Sequence, residues 1–171
     1  MGLLVDGVWQ AETLRVRSKD GRFVRPETQF RNFISADGST GFRAEAGRYH
    51  LYVSLACPWA HGTLIFRALR GLEGAISVSV VDPFMGNQGW VFGDSEGCIA
   101  DPLFDAQHMH EIYTQAEAEY SGRVTVPVLW DKTRATIVNN ESAEIIRMMN
   151  SECTEFTSDG RDGPDYYPEA L

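Results

Sequence analysis

The chain has 171 residues, 43% of them hydrophobic, which suits one soluble globular domain with an appendage. Its 24 acidic residues against 15 basic ones leave a net charge of −9, which speaks against nucleic acid or an anionic membrane surface as partner. No apolar run approaches the roughly 20 residues of a membrane span, and three widely spaced cysteines, Cys57, Cys98 and Cys153, fit a reducing, cytoplasmic setting rather than a disulfide framework.

The opening residues, Met1 to Asp6, read neither as a signal peptide nor, with Asp6 in place, as a myristoylation site. Residues 1–47 form a polar, turn-rich leader punctuated by Asp20-Gly21, Asp37-Gly38 and Gly41. Phe23, Phe30, Phe33 and Phe42 recur there among Arg22, Arg25, Arg31 and Arg43. In so acidic a chain this pattern predicts aromatics packed over the following domain rather than bases stacked on them.

Tyr49 to Ser54 is β-branched and aromatic, as a buried strand is. After Cys57-Pro58 come Leu64, Ile65, Ala68, Leu69 and Leu72 at helical spacing, closed by Gly71 and Gly74. Proline favours the first helical position, because its missing N–H costs nothing there. Cys57 is then the N-cap, where the unpaired amides of the first turn favour thiolate over thiol. Such a cysteine also reads as a small buried hydrophobe. The strand–Cys-Pro–helix order favours the nucleophile, since this turn is the active-site corner of thioredoxin-like folds. Position 60 is Ala, so Cys-Pro-Trp-Ala holds no resolving thiol and the second thiol must come from elsewhere, with glutathione the first candidate.

A strand over Ile76–Val81 completes a βαβ unit with a parallel pair. Asp82 to Pro102 reads as a long loop broken by Pro83, Gly86, Gly89, Gly93 and Gly97, and long loops in compact domains are often functional. Trp90 within it either packs on the domain edge or forms a ligand wall. Leu103–Tyr120 predicts a second helix carrying His108, His110 and Glu111. An i, i+2 histidine pair on a helix does not face one ligand, so these are expected to be solvated surface and no metal site is expected.

Arg123 to Asp131 is strand-like but contains Pro127, which a central strand excludes. A cis Val126–Pro127 bond at the strand start resolves the conflict and frees the Val126 backbone to pair with a bound peptide. Thr136–Val138 predicts an antiparallel partner, and Asn139-Asn140 a cap for a helix carrying Ile145, Ile146, Met148 and Met149. Glu141 and Ser142 open that helix. They either complement its dipole or bind a peptide, a carboxylate at the Ser142 amide and hydroxyl and an ammonium at Glu141. The acidic, Gly- and Pro-containing tail from Ser151 reads as a linker or exposed strap, with Cys153 and Cys98 as bystanders.

The resulting β-α-β-α-β-β-α order around a four-stranded mixed sheet is an α/β, thioredoxin-like arrangement that resembles the N-terminal half of glutathione transferases. The runs Cys57-Pro58-Trp59-Ala60-His61, Gly89-Trp90, Gly122 to Asp131 and Val138 to Ser142 resemble those of the glutathionyl-hydroquinone reductases, or Xi-class glutathione transferases. The leader motif Gly21 to Arg25 with Gln29 to Phe33, and Tyr166-Tyr167-Pro168-Glu169 at the end, are similar to that family too.

The resemblance implies glutathione as co-substrate and Cys57 as the catalytic thiol. It implies Trp90, Arg123, Glu141 and Ser142 as glutathione contacts, with Val126, before Pro127, as the backbone partner. The implied activity is reduction of glutathionyl-hydroquinones, an omega-like thiol transferase or dehydroascorbate reductase being one alternative and a non-catalytic glutathione-binding module the other. It further implies a leader over 1–47, a glutathione-binding domain over 48–150 and a linker over 151–171 toward a C-terminal helical domain, with full-length members homodimeric. Gly62 departs from the larger residue usual in that family.

Overall fold

The computed structural model describes residues 2–11, 28–157 and 163–168. The leader's Asp20-Gly21, Arg22, Phe23 and Arg25, and Glu169 near the end, lie outside the described residues.

The leader is more regular than its composition suggests. Strands β1 (Leu3–Val5) and β2 (Val8–Gln10) form an antiparallel hairpin. Its turn is Asp6-Gly7, both at positive φ (48° and 74°), which is the turn whose twist matches the flanking strands. Asp-Gly between apolar pairs is a hairpin signal, and it makes two strands of a segment expected to be only turn-rich. The hairpin is tied down by reciprocal backbone bonds between Leu4 and Gly122, each 2.9 Å. Farther on, the leader lies beside the Val138–Asn140 segment, Asn32 N–H donating to Val138 O and Asn140 N–H to Phe30 O. Leu4, Ile34 and Phe42 are buried, whereas Phe33 stays exposed.

The main sheet has the order β4-β3-β5-β6, from β3 (Tyr49–Ser54), β4 (Ile76–Val81), β5 (Val128–Asp131) and β6 (Thr136–Asn139). Strand β3 runs parallel to β4 and antiparallel to β5, and β5 antiparallel to β6. All six residues of β3 are buried, so the sheet is covered on both faces. Helix α1 (Pro58–Leu69) packs on β3 and on α3 (Ser142–Ser151), while α2 (Met109–Ala116) meets β6. The irregular segment after β4 covers the face that carries His50, Tyr52 and Trp130. Phe92 meets Tyr52 edge-on, Phe104 meets Trp130, and Tyr52 Oη donates to Asp101 Oδ1 at 2.9 Å.

Two boundaries differ from expectation. Helix α2 begins at Met109 rather than Leu103, because Asp101 accepts the amides of Leu103, Phe104 and Ala106 and holds them in a turn. Met109 N–H then donates to Trp90 O, and Phe92 N–H to Gln107 O. The strand expected from Arg123 is regular only from Val128. Of the tail, residues 163–168 strap across α1 and α3. Arg70 donates to Pro164 O, Tyr166 meets Phe66 edge-on and Asn150 donates to Asp165.

Candidate active site

The site is assembled from three chain reversals that the sheet brings to one end. Cys57, after β3, is the N-cap of α1, with extended backbone (φ −97°, ψ 112°) and Pro58 at the first helical position. Its carbonyl accepts His61 N–H at 2.8 Å, the first turn of the helix. The side chain makes no capping bond, so the sulfur is directed elsewhere. The sulfur lies 3.6 Å from Val126 O, within reach of a weak S–H···O contact.

The second reversal is the entry to β5. The Val126–Pro127 peptide is cis, and Val128 then pairs with Tyr52. The proline therefore stands just outside the ladder, where its missing N–H breaks no sheet bond. The third reversal is the exit from β6. Asn139 Oδ1 accepts the Glu141 amide at 2.7 Å, an Asx turn that ends the strand, and Glu141 is the N-cap of α3. The cap is thus two residues beyond Asn139, which shapes the turn, and Ser142 begins the helix. Arg31 beside Glu144 holds that carboxyl below the usual range, so the first turn of α3 carries an ionised acid that Asn139 also contacts at 2.8 Å.

Between the second and third reversals lies a depression of about 100 Å³ lined by Trp59, Thr125, Val126, Pro127, Asn140, Glu141 and Ser142. Of the residues singled out in the sequence, Val126, Pro127, Glu141 and Ser142 line it, with Cys57 at its edge through Val126 O. Trp90 and Arg123 do not line it. Trp90 is half-buried in the segment bridged to α2, and Arg123 lies three residues before Val126, its carbonyl accepting Tyr120 Oη at 3.1 Å. Trp59, Thr125 and Asn140 line it without having been singled out as site residues. Their adjacency in sequence to Pro58, Val126 and Glu141 is the only signal the chain offered. Thr28 also reaches the site, its hydroxyl 3.3 Å from Glu141 Oε2.

A larger concavity, about 430 Å³, opens over the Asp82–Ser95 loop and borders His108, sharing no residue with this depression. The other two thiols are held protonated. Burial pushes Cys153 up to about 12, and burial with the nearby Asp82 raises Cys98.

His108, His110 and Glu111 correct one expectation. His108 is the N-cap of α2 rather than part of the helix, so its ring stacks on His110 at 5.0 Å. Ligand atoms of the three residues lie within 4.8 Å of one another. The two rings are parallel to within 6°, however, so their in-plane lone pairs run in separate planes and do not converge on one ion. Glu111 is already engaged as the capping partner of His108, at 2.9 Å from Nδ1.

A thiol at a helix N-cap, facing a cis-proline loop at one end of a four-stranded mixed sheet, defines the class as a thioredoxin-like, thiol-bearing domain. The family model "Glutathione S-transferase, N-terminal domain" matches residues 56–152. The chain belongs to the glutathione S-transferase family. It is 54% identical to the glutathionyl-hydroquinone reductase YqjG of Escherichia coli (strain K12), over all of this chain and 53% of that protein. Among solved structures it is similar to the Xi-class transferase of Natrialba magadii, with TM-score 0.85 and 48% identity over 99% of this chain and 50% of that one. The glutathione-bound structure of YqjG gives TM-score 0.83 and 51% identity, over 99% and 51% of the respective chains. The chain spans about half the length of the relatives it matches.

Proposed function

We propose that this chain binds glutathione in the Cys57 depression and supplies the thiol for glutathione-dependent reduction of glutathionyl-hydroquinones. The observation that carries the reading is the Cys57 thiol at the N-cap of α1, 3.6 Å from Val126 O beside a groove whose far wall is Glu141 and Ser142. A tripeptide along that groove would pair its backbone with Val126 as an added strand does. Its γ-glutamyl carboxylate would meet the first amides and hydroxyl of α3 at Ser142, and its ammonium would meet Glu141. Trp90 and Arg123 would close the site from the flanking segments. In this reading the glutathione-binding unit is residues 48–150, with 1–47 as its leader and 151–171 as a linker. The setting in this reading is a reducing cytoplasm, and homodimers are the state expected of full-length members of the family.

In the reaction, Cys57 thiolate attacks the sulfur of the aryl–S–glutathione bond. A Cys57–glutathione disulfide forms, the carbon–sulfur bond breaks, and its electron pair takes a proton at the ring carbon to release the hydroquinone. A second glutathione thiolate then attacks the mixed disulfide, giving glutathione disulfide and restoring Cys57. The net change reduces the conjugate by one molecule of glutathione.

The test is intact mass after incubation with a glutathionyl-hydroquinone. One glutathione adduct is expected on the wild-type chain, removable by free glutathione and absent from Cys57→Ser. An adduct that persists in Cys57→Ser, or none on a wild-type chain that still binds glutathione, would overturn the assignment of the first step to Cys57 in this chain.

A further inference from the structure

Tyr113, in the middle of α2, is completely buried, and its hydroxyl touches both walls of the depression. It donates to Thr125 O at 3.0 Å and accepts Thr125 N–H at 3.2 Å. It also accepts from Asn140 Nδ2 at 3.0 Å. The hydrogen and the lone pairs of the phenol are thereby used, and Thr125 Oγ1 makes a further contact at 3.3 Å. The ring itself is locked, with Phe30 edge-on at 5.9 Å and Tyr120 at 5.1 Å. Burial pushes its pKa up from the ordinary phenol value, so the group remains a neutral hydroxyl able to donate.

The two segments it joins lie 12 and 27 residues from Tyr113 in the chain and reach the site from different ends of the hairpin β5–β6. Thr125 is bonded through both its backbone groups, which leaves Val126 and Pro127 little freedom to move relative to α2. Asn140 is bonded through its side chain, and Glu141 and Ser142 follow it directly. We infer that Tyr113 is a positioning residue. Its hydroxyl sets the distance between Val126, on the thiol side of the groove, and the Glu141-Ser142 pair on the other. The inference rests on the proposed glutathione reading, in which one tripeptide must reach both walls at once. A ligand that spans two walls binds best when their spacing is fixed beforehand.

The test is Tyr113→Phe, which keeps the ring and removes only the joint. Glutathione affinity is expected to weaken roughly tenfold by calorimetry, the effect of losing one well-made buried hydrogen bond. Without any ligand, amide exchange should accelerate together in residues 124–126 and 139–143. Ile112→Val, a buried change in the same helix, is the control. It should leave both the affinity and the exchange of those segments unaltered despite a comparable loss of melting temperature. In an Asn140→Ala background, Tyr113→Phe should add less than it does alone, since one arm is already cut.

Exchange that rises in one segment only, or an Ile112→Val variant that reproduces the Tyr113→Phe pattern, would overturn the inference. Where Tyr113→Phe does not fold, Asn140→Ala serves. Weaker glutathione binding with faster exchange at 139–143 supports the joint, and unchanged affinity sinks it. Exchange is read without glutathione, so a wild-type chain that binds none defeats the proposed function while the joint is still judged on exchange.

Discussion

Gly62 sits in the second turn of α1, one turn from the cysteine it helps to place. An added Cβ there would meet only Ile146 Cδ1, at 3.8 Å, which is ordinary contact, and the backbone is helical. Nothing in the packing requires glycine. Gly62→Ala is therefore expected to stabilise the chain by about 1 kcal/mol, the helix-propensity difference between the two residues. A rise of roughly 2–4 °C in melting temperature is the readout. An unchanged or lower melting temperature would mean that the helix needs the glycine for a reason the contacts do not express. At this scale the departure from the family pattern was legible, and so was the Cys57-Pro58 cap. Tyr113 was not, because at helical spacing it has the pattern of any core aromatic and only its oxygen's partners distinguish it.

Between the residue and the fold stand the leader hairpin and the loop it holds. Trp9 on β2 stacks on His110 at 4.8 Å and donates its Nε1–H to Asn87 O at 2.9 Å. The ring lies against Gly89, whose φ of +75° few other residues adopt and whose added Cβ would be 2.9 Å from Trp9 Cη2. Next to Gly89 is Trp90, whose carbonyl accepts the first amide of α2. Gly89→Ala is thus expected to displace the loop from the hairpin through both strain and clash. The predicted result is a lower melting temperature and weaker glutathione binding, measured by thermal denaturation and calorimetry. Wild-type values for both would show that Trp9 and the loop are not locked together. The Asp6-Gly7 turn was readable from adjacent residues, whereas the seating of Trp9 on a loop some 80 residues later was not.

At the scale of the whole molecule, the buried His50 makes stability depend on pH. His50 is fully buried on β3, Nδ1 2.7 Å from Ser77 Oγ and Nε2 2.9 Å from Ser79 Oγ. Ser79 spends its own hydrogen on Ala100 O at 2.8 Å, so Nε2 carries the ring hydrogen and Nδ1 accepts from Ser77. Burial holds the imidazole neutral and brings its pKa down from 6.5 to about 4, against the opposing pull of Asp101 and with help from Lys132 and Arg67. The unfolded chain takes up this proton first as pH falls. Stability is therefore full above about pH 6.5, declines between 6.5 and 4, and loses about 3 kcal/mol from this group across that window. Denaturant unfolding at several pH values should show that slope, and His50→Gln should make it shallower. Equal slopes in the two proteins would assign the acid sensitivity elsewhere.

The order of strands and helices from Tyr49 onward, the Cys57 cap and the Glu141-Ser142 start of α3 follow from the sequence by itself. Periodicity, proline placement and capping chemistry act over a few neighbouring residues, and those interactions survive in any fold that keeps the local chain. Only the tertiary structure decided that Val126 O faces the Cys57 sulfur, that Asn140 and Thr125 share one phenol, and that His108 stacks on His110. Each of those contacts joins residues brought together by sheet pairing or by the path of a loop. Their strength depends on distance and burial, which the chain acquires only once it is packed.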